Sequence, residues 1–211
     1  FTLNTYDWTV QSTPPTGVAV ASTTGHAGST NYTKASVSHG TSVNLEAPAT
    51  DPTGYTFSQW TVGGVARPAG QKSVSFTMAG ATTAVAEYTL NTYDLTVQST
   101  PPTGVAISST TGHAGTTNYT KSSVSHGTSV NLEAPATDPT GYTFSQWTVG
   151  GAAQPAGQKS VTFSMDGATT AVAEYTLNTY DLTVQSTPPT GVAISSTTGH
   201  AGSTNYTKAS V

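Results

Sequence analysis

The chain has 211 residues, of which only 8% are charged, with a net charge of −4 and no cysteine. Without Cys there is neither a disulfide framework nor a Cys-based zinc site. Without a basic patch the chain lacks the electrostatic footprint of a nucleic-acid binder. No apolar run approaches the roughly 18 residues that a membrane span needs. There is no signal peptide and Phe1 is not an initiator Met, so the chain reads as a mature portion or fragment of something longer.

A period of 87 residues organises the chain. His39 to Val62 recurs letter for letter from His126 to Val149, and Asn4-Thr5-Tyr6-Asp7 returns at Asn91 and Asn178. Of the first 87 positions, 76 are identical in the second copy. A period of this size predicts tandem like domains, here 1–87 and 88–174 with a partial third, 175–211. An alternative frame, 1–37, 38–124 and 125–211, makes the C-terminus a clean boundary. It would let 1–37 complete an upstream partner by strand exchange.

Thr5 to Gln11 alternates, with Tyr6, Trp8 and Val10 on one face, and predicts a half-buried strand. Leu95 and Leu182 replace Trp8 in the later copies. Ser12 to Gly17 is turn chemistry, Val18–Ser22 a second strand, and Thr23–Ser29 a loop. Asn31–Val37 is a third, more exposed strand. His39-Gly40 turns the chain into Ser42–Glu46, with Val43 and Leu45 inward, and a Pro-containing loop follows to Gly54. Tyr55 and Phe57 share one parity while Trp60 and Val62 share the other. A uniform strand cannot bury all four, so the pattern predicts a bulge near Ser58-Gln59. Gly63-Gly64 ends that strand. Val74, Phe76 and Met78 alternate in the next, and Thr83–Tyr88 forms the last.

No window carries a helical period. Six or seven short strands per unit predict an all-β tandem array of small β-sandwich-like domains. No Gly/Ser-rich or Pro-rich linker separates the units, which predicts a stiff, rod-like array.

The order of HGTSVNLEAPA, GYTFSQW, VTFSM and ATTAVAEY resembles the divergent internalin-B-type B repeat, related to the Listeria–Bacteroides repeat. The matching residues are Gly40–Leu45, Gly54–Trp60, Val74–Met78 and Thr83–Tyr88. Gln59 stands where that family usually has Gly, and the unit is longer through Gly17–Ser38. The resemblance implies repeated extracellular modules of microbial surface proteins, serving as spacers or adhesive stalks. It also implies β-grasp-like as the alternative fold, although this sequence offers no helix.

Candidate chemistry is sparse. His26, His39 and Asp51 recur, but without zinc or calcium-loop spacing. Ser38-His39 with a distant Asp lacks a nucleophile elbow. The sequence predicts no enzyme, no metal and no cofactor. An intramolecular isopeptide bond would use Lys34 or Lys72, Asn44 or Asp7, and Glu46 or Glu87. The outward parity of Asn44 and Glu46 weighs against it, and charged groups are exposed by default. Asn31, Asn118 and Asn205 each begin an N-x-T sequon, a candidate glycosylation site. Trp60 has inward parity and reads as core, whereas Tyr32 reads as an exposed contact residue. Without its later strands the third copy would expose Tyr180, Leu182 and Val184. The expected function is a structural module of an extracellular or cell-surface stalk, adhesin shaft or filament. Its expected partners are neighbouring repeats or copies of itself in a fibre. A carbohydrate-binding surface module is the alternative, with glycans as its partners.

Overall fold

The structure, a computed structural model, describes residues 2–211. Among these there is no helix, so none is long and apolar enough to cross a membrane. The chain divides into two compact units. One takes in the chain up to Leu95 together with Lys121–Ser129 and Ser164–Ala168, and the other holds the rest.

The first repeat contains β1 (Thr5–Thr13), β2 (Ala19–Val20), β3 (Gly28–Ser29), β4 (Tyr32–Ser38), β5 (Ser42–Glu46), β6 (Tyr55–Val62), β7 (Val65–Ala66), β8 (Ser73–Thr77) and β9 (Thr82–Leu90). One layer is a five-stranded sheet in the order β4-β1-β9-β6-β7. Its first and last long strands, β1 and β9, pair in parallel, while β1–β4, β6–β9 and β6–β7 pair antiparallel. The facing layer joins β2–β3 and β5–β8. A bridge between Ala21 and Glu46 links those two pairs, so that layer reads β3-β2-β5-β8. The result is a small β-sandwich-like domain around one core. Trp8, Val10, Trp60, Ala84 and Ala86 fill it from one side and Val20, Val43, Leu45 and Met78 from the other.

Alternation explains most of this packing, because successive side chains of a strand point to opposite faces. It fails on β6. Phe57 pairs with Tyr88 and Gln59 with Glu87, so Ser58 is an extra residue opposite no partner. The bulge turns the parity and lets Phe57, Trp60 and Val62 all face the core, as the sequence required. Gly63 and Gly64 both have positive φ (58° and 78°), the backbone of a two-residue hairpin turn. They return the chain into β7, a short strand that sequence reading missed. A second bulge, unforeseen, lies on β4 opposite Tyr6–Trp8, where Tyr6 pairs with Val37 and Trp8 with Lys34. There Ser36 takes φ 56°, and its N–H donates to Asp7 Oδ1 at 2.9 Å.

The second repeat has the same elements: β10 (Thr92–Thr100), β11 (Ala106–Ile107), β12 (Gly115–Thr116), β13 (Tyr119–Ser125), β14 (Ser129–Glu133), β15 (Tyr142–Val149), β16 (Ala152–Ala153), β17 (Ser160–Ser164) and β18 (Thr169–Leu177). Its five-stranded sheet runs β13-β10-β18-β15-β16, with the same bulge between Phe144 and Gln146. The third copy keeps only β19 (Leu182–Val184), β20 (Ala193–Ile194), β21 (Gly202–Ser203) and β22 (Tyr206–Lys208). Leu182 and Ile194 are each 37% exposed.

Within the first unit, Gly54 (φ +79°) meets the His126 ring. A Cβ built there would lie 2.0 Å from Cδ2, whereas Gly141, with φ +80°, has open space. Asn91 N–H donates to Gly54 O, and His126 N–H donates to Asn91 O.

Deleting Ser58 leaves Phe57 and Trp60 on one face of a regular strand and loses the bond from Gly70 N–H to Ser58 O, at a cost of about 1 kcal/mol. Deleting Thr61 puts Val62 on the wrong face and should abolish the cooperative urea transition of that repeat. Gly141→Ala should cost about 1–3 kcal/mol through φ alone. Gly54→Ala should cost distinctly more, read as a larger drop in urea midpoint, because the His126 ring has to move.

Candidate functional site

The loop after β5 carries Pro48, Ala49 and Asp51, and the residue before β8 is Lys72. Lys72 Nζ donates to Pro48 O (2.8 Å) and Ala49 O (2.7 Å) and pairs with Asp51 Oδ1 at 2.8 Å. Asp51 Oδ2 in turn accepts from Phe57 N–H at 3.1 Å. The carbonyl of Lys72 accepts two donors, Trp60 Nε1–H at 2.8 Å and Ala47 N–H at 2.9 Å. One residue thus holds the loop with its side chain and the core indole with its backbone. The second repeat rebuilds this clasp with Lys159, Asp138, Pro135, Ala136 and Trp147.

The Lys72 and Asp51 side chains are 29% and 24% exposed, so solvent screens part of their attraction. Burial pushes the Asp51 carboxyl up. The Lys72 hydrogen bond, the Phe57 N–H and the Lys72 charge outweigh it and hold the carboxyl below its ordinary 3.8. At Asp138 the Lys159 hydrogen bond is the largest effect, burial opposes it, and the direction is the same. Burial, then the Asp51 charge, raises the Tyr88 hydroxyl to about 12.

The other residues singled out in the sequence lie apart from this clasp. Asn44 knits a loop to the second layer. Its Oδ1 accepts from Thr23 Oγ1 (3.1 Å), and its Nδ2 donates to Ser73 and Ser75 Oγ (3.3 Å each). Glu46 is exposed, and its backbone bonds Ala21. Lys34 Nζ sits 5.7 Å from the Tyr32 ring centroid. Glu87 accepts from Gln59 Nε2 and Thr61 Oγ1, while Asp7 caps Ser36. Lys72 therefore meets Asp51 rather than Asn44, Asp7, Glu46 or Glu87. Its distance from Asp51 in sequence hid the pair.

Tyr32, expected to be exposed, is half-buried. Its hydroxyl donates to His26 O at 2.5 Å, its ring lies against Gly28, and burial raises it to about 12. Trp60 and Trp147 are fully buried. His26 bonds Thr24 Oγ1 through Nδ1 at 2.9 Å. Burial, then the Lys34 charge, lowers its pKa. His39 is exposed with its ring 6.1 Å from Tyr6. No three His, Cys, Asp or Glu side chains come together among the described residues. Asn31, Asn118 and Asn205 are exposed, and each Oδ1 accepts a backbone N–H, from Ser12, Ser99 and Ser186.

The sequence profile of the divergent InlB B-repeat domain matches residues 8–92 and again 94–179. The chain belongs to this family. No curated protein sequence matches it. Among solved structures it is similar to the Bacillus anthracis TIE protein, at 8% identity over 87% of this chain and 36% of that one, with a TM-score of 0.49. It is also similar to the pilus adhesin SpaC of Lactobacillus rhamnosus GG, at 14% identity over 82% and 31%, TM-score 0.37. A third is the minor pilin of Streptococcus agalactiae, at 10% identity over 86% and 100%, TM-score 0.30. The chain spans about a third of the length of the first two.

In these B repeats the clasp joins the signature aromatic strand to the loop before it. Lys72→Met should cost the first repeat about 1–3 kcal/mol in urea unfolding, as should Lys159→Met the second. The lowered carboxyls make the pH sign definite. Their contribution is complete above 3.8 and is lost as pH falls through the depressed values. The doubly substituted chain should therefore begin acid unfolding at a higher pH than the parent, followed by circular dichroism.

Proposed function

We propose that the chain is a structural module of an extracellular or cell-surface stalk, adhesin shaft or filament, without catalytic activity. The observation that carries this reading is the use each full repeat makes of its own side chains. Trp60 and Trp147 are sealed in the core, and the buried hydroxyls of Ser12 and Thr30 bond one another. The recurring ion pair ties down a loop. Family membership supports the same reading, since such repeats are units of longer arrays. The functional units are 1–87 and 88–174, with 175–211 the start of a third. Their partners are neighbouring repeats or further copies in a fibre. Asn31, Asn118 and Asn205 are the positions at which a glycan coat would attach.

The test is a series of chains of one, two, three and four repeats, measured by small-angle scattering. A constant increment in maximum dimension per repeat is the expected outcome. Growth with the square root of repeat number would overturn the shaft reading, because that is how flexibly tethered domains behave.

A further inference from the structure

The first repeat contains a cavity of about 240 Å³ where the β6–β7 hairpin meets the turn between β8 and β9. Val62 and Phe76 give it an apolar wall, Thr77 and Thr82 bring hydroxyl-bearing side chains, and Arg67 brings the only guanidinium in the chain. No Asp or Glu lines it. Arg67 Nε is shut off from solvent and has no hydrogen-bond partner among the described residues. A buried donor on a charged group without an acceptor is costly, and no carboxylate in the lining neutralises the guanidinium.

Comparison of the repeats points to the same place. They differ at 11 of 87 positions, and only two of those differences change charge: Arg67 becomes Gln154, and Ala79 becomes Asp166. Both positions line this cavity in the first repeat. Elsewhere the repeats exchange residues of equal charge, such as Val20 for Ile107 or Ser29 for Thr116. The second copy has thus lost the cation and gained an anion at one location, while its clasp and its signature strand are unchanged.

We propose that the first repeat alone binds the carboxylate of a hexuronate sugar unit. A guanidinium fork receives a carboxylate through two parallel N–H···O bonds. Hydroxyl-bearing side chains and an aromatic wall suit a sugar ring better than an acidic peptide, which would need backbone partners. The volume lies below that of pockets for drug-sized ligands, about 300–1,000 Å³, and suits one ring. The site is independent of the shaft reading, since a shaft needs no ligand.

The test titrates the intact chain with sodium glucuronate, using glucose and N-acetyl-aspartate as controls. It is read by amide NMR shifts at Thr77, Gly80 and Thr82 and by calorimetric stoichiometry. The expected result is one glucuronate site per chain and no response to glucose. Arg67→Gln places the residue of the second repeat, which folds with it, and should weaken binding at least tenfold. Gln154→Arg with Asp166→Ala should raise the stoichiometry to two. The proposal is overturned if glucuronate leaves those amides unmoved, if Arg67→Gln binds as well as the parent, or if the stoichiometry stays at one. Shifts from N-acetyl-aspartate as large as those from glucuronate would also overturn it in favour of an acidic peptide.

Discussion

Trp60 has to be buried, and its indole N–H has to be satisfied where it lies. The ring is too large to leave at the surface of a domain this small, and an unpaired buried N–H costs free energy on the scale of a whole hydrogen bond. The carbonyl of Lys72 meets that need at 2.8 Å, and the same carbonyl receives Ala47 N–H. Two layers of the sandwich and the loop between β5 and β6 therefore converge on one peptide group. The bulge at Ser58 is the backbone's answer to the same demand, since in a regular strand of this sequence, three residues apart, the indole and Phe57 would face opposite ways.

The scarcity of charge follows a similar logic. Each repeat places three of its few ionic groups, in the first repeat Asp7, Asp51 and Lys72, on backbone groups of its turns, loops and bulges. Asp7 serves the N–H of Ser36, whose φ is 56°, and Asp51 serves Phe57 N–H and Lys72. Loops that a more charged protein would fix by ion pairs are held by Asn44, Thr23, Thr24 and Ser22. Arg67 departs from this economy, as the one cation whose buried Nε serves nothing in its own repeat.

The copies also show how much this core tolerates. Trp8 is 1% exposed and its counterpart Leu95 0%. The larger ring lies edge-on to His26, Tyr32 and Phe76, but its Nε1 has no partner among the described residues. Leucine removes that orphaned donor along with the volume, so a loss of packing is offset by the loss of an unsatisfied group. Tyr88 keeps a comparable orphan in its hydroxyl, and Tyr175 repeats it, which marks a feature of the fold rather than of one copy.

The sequence by itself determined the repeat, the all-β class, the inward residues of the long strands and the bulge at Ser58. These follow from periodicity, and a parity conflict among Tyr55, Phe57, Trp60 and Val62 has one economical solution. It also determined the family, through the run from Gly54 to Trp60. Tertiary structure decided what depends on distance between residues far apart in the chain. The parallel pairing of β1 with β9 brings together strands about 75 residues apart, for which no local pattern exists. Lys72 and Asp51 were each visible as charges in a low-charge chain, but their pairing depends on how the second layer folds over the first. Tyr32 stood on an outward strand yet leans over Gly28 into the loop, because a missing Cβ makes room that alternation cannot register. The cavity at Arg67 exists only where a hairpin and a turn from different strands meet.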